Sequence, residues 1–85
     1  MDIKELFEKA VGDSKNLSSK PSNEMLLKLY SLFKQATDGD ASSDGPSNPF
    51  DFVAKAKHEA WSSLKGISKE DAMKQYSELV EKLKE

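Results

Sequence analysis

Apolar residues recur at three- and four-residue steps in four separate blocks of this 85-residue chain, the period of helices packed along one face. The first block is Ile3, Leu6, Phe7, Ala10 and Val11, with Gly12 as a C-terminal stop. The second follows Pro21 and Ser22, where Ser22 can cap the first turn, and runs through Met25, Leu26, Leu29, Tyr30, Phe33 and Ala36 to an end near Thr37 or Asp38. Val53, Ala56, Ala60, Trp61 and Leu64 form the third, closed by Gly66. Ser68-Lys69-Glu70-Asp71 opens the fourth as a variant capping box, and Ala72, Met73, Tyr76, Leu79, Val80 and Leu83 follow. No segment alternates with period two. The pattern predicts an all-α fold, a single domain over 1–85 with helices near 3–13, 22–38, 52–64 and 68–84. A long loop over about 39–50 is expected because the stretch from Asp38 to Asn48 is rich in turn formers and has no large apolar side chain. The shorter links favour antiparallel neighbours, whereas the long loop lets helices two and three run in similar directions.

Size and charge narrow the function. With 36% hydrophobic residues the core is modest, so a shallow surface site is expected rather than a large internal catalytic cavity. A net charge of −2 argues against non-specific nucleic-acid binding. All thirteen basic residues are lysines, so a phosphate would meet ammonium point charges and tyrosine hydroxyls rather than a guanidinium fork. There is no cysteine, which removes disulfides, zinc-thiolate sites and cysteine nucleophiles, and the single histidine, His58, cannot build a metal site unaided. The aspartates near 38–44 lack the ligand period and terminal glutamate of a calcium loop, so no metal and no cofactor are expected. Nothing around Met1-Asp2-Ile3-Lys4-Glu5 resembles a signal peptide and no apolar run approaches membrane length; a cytoplasmic monomer is expected.

Tyr30, Phe33 and Lys34 share one face of the second helix, and Lys57, Ala60, Trp61 and Leu64 share one of the third. Two rings and two ammonium groups suit a flat base carrying phosphate. Lys55 and Lys57 differ by about 200° around a helix, so only one of them can face Lys34. Read without further context, Tyr30 and Phe33 on an apolar helix face are more simply core residues, the lysines solvated charges, and Trp61 a core anchor between helices. Tyr76 lies beside Met73 and Val80 on the stripe of helix four, where packing explains it equally well.

Phe7-Glu8-Lys9-Ala10, Lys20-Pro21-Ser22, Tyr30 through Thr37 with Gly39-Asp40, Lys55-Ala56-Lys57, Trp61, and the unbroken run from Leu64 to Tyr76 together resemble the acyl-CoA-binding protein family, from about Phe7 to Leu83. That resemblance implies an up-down-down-up four-helix bundle whose bowl-shaped surface binds long-chain acyl-CoA without covalent chemistry. Position by position, it implies that Tyr30 meets the adenine 3′-phosphate region, that Lys34 and Lys57 pair with that phosphate, and that Tyr76 closes the nucleotide pocket. Val11 and Leu27 fall where the family lines its acyl groove, and Lys15 matches a basic position near the head group. Phe33 stands where many members carry a second tyrosine, which keeps a ring and drops a hydroxyl. His58 replaces a frequent tryptophan, Val53 a frequent basic residue, and the long loop is one residue longer.

The expected function is therefore non-covalent binding, buffering and intracellular transport of medium- to long-chain acyl-CoA esters, with transient contact with lipid-metabolising enzymes or membranes. The alternative is a helical interaction module that accepts a peptide helix on the same aromatic and basic surface. An enzyme ranks third, since no serine has a recognisable activating partner.

Overall fold

Each helix begins on a side chain that accepts a hydrogen bond from the backbone N–H three residues on, satisfying one of the donors that a helix start leaves without an internal partner. The structure, a computed structural model, describes residues 2–41 and 50–84. Asp2 accepts from Glu5 N–H (2.9 Å) and starts α1, Ile3–Ser14; Ser22 accepts from Met25 N–H (3.2 Å) and starts α2, Asn23–Asp38. Asp51 accepts from Ala54 N–H (3.0 Å) and starts α3, Phe52–Ser62; Ser68 accepts from Asp71 N–H (3.1 Å) and starts α4, Lys69–Leu83. Among the described residues all regular structure is helical. Of the loop expected over 39–50, residues 42–49 lie outside the described residues. No helix is long and apolar enough to cross a membrane among the residues described.

Helix ends follow backbone chemistry. Gly39 caps α2 with φ of 81°, and Gly66, in the turn between α3 and α4, has φ of 95°, values that L side chains rarely adopt. Gly12 does not stop α1, which continues to Ser14. The carbonyls there find other partners: Ser14 Oγ donates to Val11 C=O (2.7 Å), and Asn16 Nδ2 donates to Gly12 C=O (3.2 Å). With those acceptors satisfied, no left-handed residue is needed at position 12.

Apolar stripes from three helices meet in the core: Phe7 and Ala10 of α1, Leu29, Leu32 and Ala36 of α2, and Ala72, Tyr76, Leu79 and Val80 of α4. α3 buries no side chain fully. Accordingly α4 packs on both α1 and α2, while α3 packs on α2 alone; α1 and α2 do not touch along their backbones. Contacts fix the directions. Lys84 at the end of α4 pairs with Asp13 near the end of α1 (3.2 Å), so those two helices run in parallel. Gln35 near the end of α2 reaches Ile67 just before α4, which makes α2 and α4 antiparallel, and Lys57 and Trp61 lie beside Tyr30 and Lys34, which makes α3 parallel to α2. The result is the up-down-down-up order, spread into a plate of 39 × 28 × 15 Å.

A buried polar knot ties α2 to the α3–α4 turn. The Gln35 side chain is fully buried, and its Nε2 donates to Asp40 Oδ1 (2.9 Å) and to Ile67 C=O (2.7 Å). The same Asp40 oxygen accepts from Gly66 N–H (2.9 Å). That backbone hydrogen bond, followed by the one from Gln35, holds the Asp40 carboxyl below its ordinary value of 3.8.

Two stability outcomes follow from these local arrangements. Gly12 is helical with nothing within 4 Å of an added Cβ, so Gly12→Ala should stabilise the protein by about 0.5–1 kcal/mol in urea unfolding; a loss would contradict the helical assignment there. Asp40 binds protons less readily folded than unfolded, so its contribution is complete above about pH 4 and is lost as the pH falls through its depressed folded value. Asp40→Asn should therefore be less stable than the parent at pH 7, with the gap closing below about pH 3.8; a gap independent of pH would sink the charge argument.

Candidate functional site

Because the α1 and α2 backbones do not approach each other, and the two helices meet through side chains such as Phe7 and Phe33, the space between them stays open above α4. It forms a hollow of about 340 Å³ lined by Val11, Ser14 and Lys15 from α1 and its C-terminal end, Leu26, Leu29, Tyr30 and Phe33 from α2, and Tyr76 from α4. Tyr76 is almost wholly buried and anchors this floor: its hydroxyl donates to Ser14 Oγ (3.1 Å), and its ring meets Phe7 edge-on at 5.2 Å. Phe33 leans on the same pair, 5.9 Å from Phe7 and 6.4 Å from Tyr76, with its outer face exposed. Offset and edge-on packing of this kind holds rings in place beyond what burial alone supplies.

A second groove, of about 490 Å³, opens on the other side of Leu26, between the N-terminal halves of α2 and α3. Asn23, Leu26 and Leu27 line one wall, and Phe52, Val53, Ala56 and Lys57 line the other. Leu26 belongs to both depressions. Lys57 links them too, since its ammonium lies 5.1 Å from the centre of the Tyr30 ring. Both volumes fall in the range of about 300–1,000 Å³ usual for ligand sites, and both are apolar with few polar groups.

Lys34 lines neither depression. One turn beyond Tyr30 on α2, its ammonium pairs with Asp38 and sits 5.1 Å from the centre of the Trp61 ring. The hydrogen bond that the Lys34 ammonium donates to Asp38 is the main cause that raises it above its ordinary value of 10.5; burial opposes it, and the charge of Asp38 and the nearby Tyr30 phenol add smaller upward contributions. Lys34 is fully charged at neutral pH. Trp61 is half-buried rather than part of the core, and its Nε1 donates to Gly39 C=O (2.8 Å), fastening α3 to the cap of α2. His58 meets the indole edge-on at 6.3 Å.

Of the eight residues singled out by sequence, the structure gathers Val11, Lys15, Tyr30, Phe33 and Tyr76 at one hollow, and Leu27 and Lys57 at the adjoining groove. Lys34 stands apart, over Trp61. The residues that sequence reasoning passed over as site-lining are Ser14, Leu26 and Leu29 in the hollow, and Asn23, Phe52 and Ala56 in the groove; Val53, which stands at a frequent basic position of the family, lines the groove with them. For Leu26 a signal existed, because it precedes Tyr30 by four residues and Phe33 by seven on one helical stripe. Phe52 and Val53 gave a weaker one: two consecutive large apolar residues at a helix start cannot both enter a core, and here they are 73% and 66% exposed.

An apolar trough, three clustered rings and two ammonium groups next to aromatic faces equip this side of α2 to hold a flat, phosphorylated group with an aliphatic tail. Among the described residues no three His, Asp or Glu side chains are grouped as metal ligands.

Comparison with known proteins agrees with this geometry. The family model described as "Acyl CoA binding protein" matches residues 4–80. The chain is 51% identical over 77 residues to acyl-CoA-binding protein homolog 1 of Caenorhabditis elegans, covering 91% of this chain and 88% of that protein. It is 46% identical over 83 residues to an acyl-CoA-binding protein homolog of Manduca sexta, covering 98% and 92%. The crystal structure of acyl-CoA-binding protein 2 from Oryza sativa superposes with a TM-score of 0.85 at 38% identity, covering 95% of this chain and 89% of that one.

The placement of the two lysines is open to direct test, because Trp61 is the single tryptophan. Lys34→Ala should shift the indole emission of the ligand-free protein, whereas Lys57→Ala, whose ammonium faces Tyr30, should leave it unchanged. Equal responses from the two variants would contradict the placement.

Proposed function

The chain belongs to the acyl-CoA-binding protein family, and from that premise we propose that it binds medium- to long-chain acyl-CoA esters without covalent chemistry. As a single binding unit and a monomer, it carries and buffers them in the cytoplasm and releases them to lipid-metabolising enzymes or membranes. The observation that carries the reading is the junction at Tyr30 and Leu26: the hollow above α4 and the α2–α3 groove meet there, with the Lys57 ammonium over the Tyr30 ring.

On this reading, the adenine ring stacks near Tyr30 and Phe33, and the 3′-phosphate takes hydrogen bonds from Lys34 and Lys57. Tyr76 supports the floor of the nucleotide site, Lys15 meets the head group from the rim, and Val11 and Leu27 border the acyl chain. A charge-assisted hydrogen bond contributes about 1.5–3 kcal/mol and a stacked base about 1–3 kcal/mol, so the head group sets identity. Each buried methylene adds about 0.8 kcal/mol before ordering costs, so the tail sets chain-length preference. Free fatty acid lacks the nucleotide contacts, and free coenzyme A lacks the apolar ones. The thioester leaves as it arrived, because the reading includes no nucleophile.

Calorimetric titration with palmitoyl-CoA should give saturable one-to-one binding, and no saturation at micromolar ligand would refute the reading. Lys34→Ala and Lys57→Ala should each weaken binding by about 10- to 100-fold without loss of helicity, since each deletes a phosphate partner and no core volume. Unchanged affinity in either variant would remove that lysine from the site.

A further inference from the structure

We infer that Asp38 is a built-in competitor for the anionic head group: its carboxylate occupies the Lys34 ammonium in the empty protein and so sets how tightly a 3′-phosphate is held. The inference rests on the reading that Lys34 meets that phosphate. Lys34 has two partners here, the Asp38 carboxylate and the Trp61 ring. The ring and an incoming phosphate can both be accommodated, since a cation presents hydrogen bonds on the side away from the ring face. The carboxylate cannot be ignored in the same way. It competes for the same ammonium protons, and a dianionic phosphate arriving beside it meets like charge.

Local rules give Asp38 little other purpose. It lies in the last turn of α2, where a carboxylate opposes the helix dipole and that turn holds no basic residue of its own, although the Lys69 side chain of α4 packs near the following Gly39. Its ion pair has the lysine four residues before the acid, the weaker of the two orientations for supporting a helix. The pair is also solvent-accessible, with 28% of the Lys34 side chain and 50% of the Asp38 side chain exposed, so it adds little to stability. What the pair does do is hold the ammonium in one place over the indole, at the cost of occupying it. Asp38 thus lowers affinity while it keeps Lys34 positioned, and affinity for phosphate-bearing ligands is tuned at a residue outside both apolar depressions.

The test compares dodecanoyl-coenzyme A with its 3′-dephospho form by calorimetry, using the parent, Asp38→Asn, Lys34→Ala and the double variant. Asp38→Asn should bind dodecanoyl-coenzyme A about two- to tenfold tighter and leave the dephospho ligand unchanged, and the gain should vanish in the double variant. Unchanged or weaker binding by Asp38→Asn, together with a large loss in Lys34→Ala, would overturn the competitor role and leave the head-group reading standing. An equal gain for both ligands would also overturn it, because the effect would then not act through the 3′-phosphate. If Lys34→Ala binds both ligands as the parent does, the reading beneath the inference falls with it.

Discussion

Among the described residues, α4 is the only helix whose backbone packs on both α1 and α2, and most of the molecule follows from that. Tyr76, Leu79 and Val80 take up the apolar stripes of both neighbours, so the α1 and α2 backbones need not pack together to complete a core. The gap they leave is the hollow, and Tyr76 is at once its floor and part of the core beneath. A plate only 15 Å through in its shortest dimension has no room for an enclosed chamber, so a ligand must lie on the surface between helices. The site is therefore open because of how the core is closed.

α2 divides its circumference among three tasks. Leu29, Leu32 and Ala36 face the core with α4; Leu26, Tyr30 and Phe33 face the open hollow; Leu27 borders α3. Gln35 ends the division by hydrogen-bonding across to Asp40 and Ile67, which fixes where the chain re-enters before α4. α3, with no fully buried side chain, is held chiefly by Trp61 on the α2 cap and by side chains that rest on α2. An element attached on one side can shift with little loss of buried area.

Much of this was legible in the sequence, and the reasons differ by residue. The four helices and the caps at Ser22 and Ser68 are local signals, decided within a turn of chain, and they hold in the structure, whereas the third apolar stripe stays largely uncovered, with Val53 66% exposed and no α3 side chain fully buried. Gly12 misled because glycine permits a stop without requiring one; the choice lay with Ser14 and Asn16, which satisfy the last carbonyls instead. Trp61 does anchor α3 to α2, but by donating its indole N–H to the Gly39 carbonyl, and the ring stays half-buried instead of entering the core. Helical phase placed Lys34 beside Tyr30 and Phe33 but could not foresee that Asp38 and Trp61 draw its flexible side chain toward α3. The knot of Gln35, Asp40, Gly66 and Ile67 joins residues more than twenty positions apart, and no local period encodes such a meeting.

Mapping of backbone amide shifts by NMR as dodecanoyl-CoA is added asks whether one ligand uses both depressions together. Shifts should concentrate on both sides of Leu26, at Val11, Lys15, Tyr30 and Phe33 in the hollow and at Leu27 and Lys57 in the groove, while the opposite face around Lys28, Glu78 and Lys82 stays still. Shifts centred on that opposite face, or confined to one depression at saturating ligand, would contradict a continuous site joined at Tyr30.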